Sequence, residues 1–342
     1  MAAYIKGIGI VSPLKTADSS DFPSEISVPV GLPFLKCIEP AYKKYLDPMA
    51  SRRMSRSIKM GIYAAKRCLE DAGVEIPDAI ITGTGLGCIE DTEKFMISLL
   101  DNNETLLNPT PFIQSTHNTI SAQISILLKC HGYNFTYVHR GFSFESALLD
   151  SLMMLKEEPS GNILLGGMDE ITEISHHILY RLGHWRKTIA GEGAAFFLLC
   201  NTKGTSDYAK IDSVHTFYKP ANDEEIRNQI RNFLHQKQLD FADIDLAVLG
   251  INGDGKLDLP YHALMNDILK DACNVKYKNL CGEYFTSSSF ALWLAAIIMK
   301  GQQVPDTVLI DKKAEKPIKN ILIYNHYRNI NHSLILLQNA EL

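Results

Sequence analysis

The chain has 342 residues, a formal net charge of −5, 46% hydrophobic residues and 21% charged residues. That profile fits a soluble chain with a large core, built as one big domain or two closely packed halves. The mild acidity leaves no basic face for nucleic acid. No apolar run reaches membrane-spanning length, and no basic-then-apolar leader opens the chain, so a cytoplasmic protein is expected.

The first strand is expected at Tyr4–Val11, followed by a loop rich in Pro, Ser and charge over residues 12–48. A basic run, Arg52-Arg53-Met54-Ser55-Arg56, leads into an amphipathic helix, Met60–Ala72, stopped by Gly73. A strand at Ile80–Ile81 ends in Thr82-Gly83-Thr84-Gly85-Leu86-Gly87. These glycines lack the dinucleotide spacing and a following acidic ribose ligand, so they read as close backbone packing and no cofactor is expected. Helices are expected at Asp91–Asn102 and Ser115–His131, the second ending at Gly132.

The central unit spans residues 134–170. It reads as strand Phe135–Val138, a turn His139-Arg140-Gly141-Phe142, helix Ser143–Lys156, a break at Pro159–Gly161, and a buried strand at Ile163–Leu165. A strand-to-helix turn of this kind holds a side chain above a helix N-terminus, where N–H groups and the dipole stabilise an anion. Acyl-transfer enzymes place a nucleophile there; this turn has no cysteine. Ser143 is expected to cap the helix, with Glu145 favouring its dipole.

The strand Gly191–Cys200 closes the first half. The second half is expected to run through strand Ala209–Phe217, helix Asn222–Gln238, strand Leu246–Ile251, helix Tyr261–Cys273, helix Thr286–Lys300, and strands Asn320–Tyr324 and Ser333–Leu337. Strands alternating with helices in both halves indicate α/β architecture and an old duplication. The seven cysteines form no Cys-x-x-Cys pair or disulfide framework and are expected reduced. His176, His177 and His184 lack metal-ligand spacing, so no metal is expected. Asn252–Asp258 lacks the closing glutamate of a calcium loop.

Six segments occur in an order that one family shares. They are Arg52–Gly73, Ile81–Gly87, Asn118–Gly132, Asn162–Glu170, Gly191–Leu199 and Asn331–Leu337. Together they resemble the β-ketoacyl synthase family of the thiolase fold. The resemblance implies an α-β-α-β-α arrangement of five layers made of two pseudo-symmetric halves, residues 1–205 and 206–342. It also implies a two-fold pairing and substrates carried on an acyl carrier protein. The family's chemistry needs a cysteine thiolate to hold the acyl chain and two histidines to stabilise the developing enolate. The cysteine place aligns with Gly141, or with Phe142 on a one-residue shift. The histidine places align with Asn252 and Glu283. The family's glycine-rich gate is rewritten as Asn325-His326-Tyr327-Arg328-Asn329.

Within that family the pattern is similar to chain-length-factor subunits, and the local wording to the synthase-like subunits of aryl polyene and flexirubin-type clusters. The expectation is a catalytically silent partner of a cysteine-bearing ketosynthase, with a homodimer as the other pairing. The alternative is an acyltransferase, or a noncanonical 3-oxoacyl-[acyl-carrier-protein] synthase, acting through Ser143 or Cys281.

Overall fold

The computed structural model describes residues 2–19, 21–23, 26, 31–158 and 160–340. Pro159 of the expected break lies outside them. The first half contains strand β1 (Ala3–Val11), the two-residue β2 (Phe34–Leu35), helix α1 (Arg56–Ala72), β3 (Ala79–Gly83), α2 (Ile89–Asp101), α3 (Pro109–Gln114) and α4 (Thr119–Leu128). It continues through β4 (Tyr133–Tyr137), α5 (Ser143–Glu157), β5 (Asn162–Asp169), α6 (Glu173–Arg181), β6 (Ala190–Gly191) and β7 (Gly193–Cys200). The second half runs β8 (Lys210–Tyr218), α7 (Asp223–His235), β9 (Leu246–Leu249), α8 (Leu259–Met265), β10 (Cys273–Lys276), α9 (Lys278–Cys281), α10 (Ser288–Gly301), β11 (Asn320–Tyr327) and β12 (Asn331–Gln338).

Ten of these strands form one sheet in the order β10-β9-β11-β12-β8-β1-β7-β5-β3-β4. On either side of the β1–β8 junction the order repeats, counting only the strands of this sheet: first strand of the half, then its fifth, fourth, second and third. The hydrogen-bond directions repeat as well, antiparallel inward and parallel outward. The junction is narrow, with only Ala3↔Ile211 and Tyr4↔Lys210 in register.

The side-chain period of a strand sorts the core into layers. In β3, Ala79 and Ile81 face a central core with Phe144 and Leu148 of α5, whereas Ile80 faces Ile62 of α1 and Ile124 of α4. The central core takes strands from both halves and both α5 and α10. α10 is apolar and buried almost all round, as befits a helix enclosed by two sheets. On the far side, α7 and α8 cover β9, β11 and β12. The layers are therefore helix, strand, helix, strand, helix. No helix of the described residues is long and apolar enough to cross a membrane.

Several boundaries differ from expectation, three of them informatively. The expected 115–131 helix is shorter: residues 115–118 are turn, and α4 (Thr119–Leu128) is capped by Lys129 (φ 55°), not Gly132. Gly132 serves close approach instead: a Cβ there would lie 1.9 Å from the Asp78 carbonyl oxygen. The 261–273 helix stops at Met265, and Cys273–Lys276 becomes a strand parallel to β9. The open edge of β9 takes up that short segment, a tertiary demand outweighing local preference. Residues 325–327 extend β11 into a hairpin with β12.

Candidate functional site

The parallel strand β4 ends at Tyr137, and the chain turns through exposed His139 and Arg140 into buried Gly141 and Phe142. Arg140 has φ 49°, a left-handed conformation that a side-chain-bearing residue adopts only where the surroundings impose it. Ser143 is the first residue of α5, and its hydroxyl accepts from the His139 N–H at 2.8 Å. This corrects the expected N-cap role: the hydroxyl ties the turn backward and caps no N–H within the helix. Ser143 is fully buried. Glu145 in the first turn is also buried and accepts from Ser333 Oγ at 2.9 Å, while burial raises its carboxyl above the ordinary range.

Gly141 has no side chain to offer, and the space above it is filled. A Cβ there would meet Tyr327 Cβ at 2.7 Å and Cγ at 3.1 Å. Tyr327, at the end of β11, is 7% exposed. Its ring packs 4.9 Å from Phe285, and its hydroxyl is bonded to His184 Nδ1.

Asn252 and Glu283 meet directly. Asn252 follows β9 and Glu283 follows α9; Asn252 Nδ2 donates to Glu283 Oε2 at 2.8 Å. Behind them, the Lys278 ammonium donates to both Glu283 oxygens, at 3.0 and 2.8 Å. The carboxylate thus faces one amide and one buried cation, with one contact to Oε1 and two to Oε2. Asp258 holds the 252–258 turn by accepting from the Asn252 and Gly253 N–H groups. Asn252, Glu283, Tyr327, His184, Thr188 and Arg328 are among the residues lining a cavity of about 190 Å³. The fold therefore brings Asn252 and Glu283 together, and sets Gly141 behind the Tyr327 wall of the same cavity.

The imidazoles near this cavity are held neutral. Arg328 donates to His184 Nε2 at 3.2 Å, so Nδ1 carries the proton and donates to Tyr327. Burial, with Arg328 and Arg140 nearby, pushes His184 down to about 4. His326 donates through Nε2 to the Leu257 carbonyl and accepts the Asn329 N–H at Nδ1, so both nitrogens are committed. Burial depresses it far below the ordinary range. Cys281 is fully buried; its thiol points to the Gly282 carbonyl, and burial raises it well above the ordinary thiol range.

A second brace joins the halves beside the site. Asp169, at the end of β5, accepts from the Gly85 N–H, the Thr84 hydroxyl, and the N–H and hydroxyl of Thr286. Burial pushes it up to about 6, and its neighbour Glu170 to about 7.

Sequence reasoning did not single out Lys278. Lys278 sits five residues before Glu283 in the mixed stretch Lys276-Tyr277-Lys278-Asn279, which carries no local sign that one of its two lysines is buried. His184 was weighed only as a metal ligand; the structure gives it to Tyr327.

Residues 36–201 match a family model described as the N-terminal domain of β-ketoacyl synthases. No curated protein matches the chain significantly. Among solved structures, the ishigamide ketosynthase/chain length factor superposes with a TM-score of 0.81 at 16% identity, over 99% of each chain. A β-ketoacyl synthase from Burkholderia phymatum gives 0.76 at 15% identity, over 98% of this chain and 99% of that one. A ketosynthase in complex with its type II polyketide acyl-carrier protein gives 0.75 at 13% identity, over 98% and 99%. The family-model match thus covers just under half of the chain, and over its whole length the chain shares the fold of solved ketosynthases and chain length factors.

Proposed function

We propose that the chain is a catalytically silent, chain-length-factor-type subunit that pairs with a cysteine-bearing ketosynthase during fatty acid or polyketide chain elongation, with an aryl polyene type of product. The observation that carries this reading is the locked contact of Glu283 with Lys278 and Asn252, taken with the family alignment of the same residues. That alignment sets Gly141 at the nucleophile place and Asn252 and Glu283 at the histidine places. A carboxylate opposes an enolate and does not stabilise it.

The sheet edges support a partner. At one end β10 is covered by the chain's own return, through Lys276 N–H to Val308 and Ile310 N–H to Asn274. At the other end β4 pairs, among the described residues, only with β3 and presents Tyr133 and Phe135, 44% and 45% exposed and stacked at 6.1 Å. A bare aromatic edge strand is an aggregation liability unless another chain covers it. The relatives include a ketosynthase/chain length factor and a ketosynthase with its acyl carrier protein, which supports a carrier-borne substrate in the paired complex.

Ser143 and Cys281 are weak foundations for an independent enzyme, because both are fully buried and neither faces a free base.

The test is co-expression with cysteine-bearing ketosynthases, followed by purification and condensation assays with malonyl and acyl carrier substrates. A 1:1 complex that elongates only when both chains are present supports the reading. An acyl adduct on this chain alone, with condensation in the absence of a partner, would overturn it.

A further inference from the structure

We propose that Tyr327 is an autoinhibitory plug, closing the space above Gly141 independently of the missing nucleophile. The inference rests on the reading of the site as silenced, but not on the identity of any partner.

The ring is fixed from three sides. Its backbone belongs to the β11–β12 ladder, where Tyr327 pairs with Asn331 and the preceding His326 with His332. The turn that follows carries Arg328 and Asn329 at φ 55° and 54°, the paired left-handed geometry of a tight hairpin whose twist matches its strands. Its hydroxyl takes the His184 Nδ1–H. Its face lies on Phe285, and Phe285 is itself wedged against the glycine loop of the first half: a Cβ on Gly85 would come within 2.4 Å of that ring.

A gate that opens for substrate needs backbone freedom, which glycine supplies. Residues 325–329 contain no glycine and are spent on ladder and turn. The close contact is between Tyr327 Cβ, an atom fixed to the backbone, and the place where a side chain at 141 would begin. Rotating the ring about χ1 does not relieve it. The site is thus shut twice, by chemistry and by volume, and restoring a thiol alone leaves it closed.

The experiment compares Gly141→Cys with Gly141→Cys/Tyr327→Gly, which also removes the clashing Cβ, in the isolated chain. The readout is alkylation by iodoacetamide at neutral pH, by intact mass and peptide mapping. The native cysteines are all buried and set the background in the wild-type chain. The double variant is expected to react at position 141 at least about tenfold faster than the single one, because the single variant must first open locally. Equal rates would overturn the plug.

Because Gly141→Cys strains the native contact and can fail to fold, a second measurement uses Tyr327→Gly on the native Gly141. Added p-cresol should raise its melting temperature and leave the wild type unmoved, as expected for an apolar cavity refilled by a ligand of matching shape. An absent shift in the folded variant would show that the ring fills no such space. Loss or retention of ketosynthase pairing moves neither readout, so failure of the plug and failure of the partner reading are separable.

Discussion

The Lys278 ammonium lies 3.0 and 2.8 Å from the two carboxylate oxygens of Glu283, and both side chains are almost fully buried. A buried pair of this kind is unforgiving when one member is lost, because the other is left charged and uncompensated. Lys278→Met is therefore expected to destabilise the chain by about 3–5 kcal/mol, while the double change Lys278→Met/Glu283→Gln recovers most of that loss. Urea unfolding of the two variants and the wild type checks this. A double variant as unstable as the single one would show that Lys278 acts through packing alone.

Ser143 separates the structural from the enzymatic reading. Removing its hydroxyl leaves the His139 N–H, in the turn before α5, without its acceptor. Ser143→Ala is expected to cost about 1–2 kcal/mol, the penalty of an orphaned donor. It should leave elongation by the paired complex unchanged. Stability and turnover are measured on the same preparation; a folded variant with abolished acyl transfer would restore Ser143 as a nucleophile.

Much of this arrangement was legible before any coordinates, for physical reasons that also explain the omissions. Runs such as Ile163–Leu165 and Phe196–Leu199 announce strands buried on both faces, since only such strands go without polar alternation. Gly73 ends α1 with φ 67°, as a glycine after an apolar helical period should. That Asn252 and Glu283, separated by 31 positions, touch is seen only in the fold; the sequence places each in its own turn.

What stayed hidden was set by tertiary contact. β10 has only Cys273 and Val275 to mark it, too little periodicity for a strand. α6 (Glu173–Arg181) lies in a polar stretch that reads as loop, and is fixed by Thr172 and Ser175 closing a reciprocal cap. Lys278 looks like a surface lysine until the fold puts Glu283 against it.

Glu170 makes stability depend on pH in a defined direction. Burial raises its carboxyl to about 7, against an ordinary glutamate value of 4.5. The folded state holds this proton more tightly than the unfolded state does. The stabilising contribution is thus complete below pH 4.5 and is lost as pH rises through 7. Glu170→Gln mimics the protonated form, with an amide oxygen able to accept the Glu90 N–H that now donates at 3.2 Å. The variant should gain stability relative to wild type as pH rises from 5 to 8, as read from urea midpoints at the two pH values. A difference that does not change with pH would remove Glu170 from the titration.

The exposed edge of the sheet gives the sharpest test of pairing. Tyr133 and Phe135 alternate on one face of β4 with rings 5° from parallel, and Phe135 also lies 4.9 Å from Tyr137. Burying such rings between chains removes a large apolar area from water, whereas a lysine at the same position stays solvated and repels a neighbouring strand. Because Phe135 is 45% exposed in the single chain, Phe135→Lys should change the stability of that chain by no more than about 0.5 kcal/mol. In the complex the same change should weaken association with the ketosynthase by at least about tenfold, the loss expected when an aromatic anchor at an interface is removed. Sedimentation or light scattering of the mixed chains, alongside melting of the single chain, reads both quantities. A full-strength complex formed by the lysine variant would place the partner on another face of the molecule.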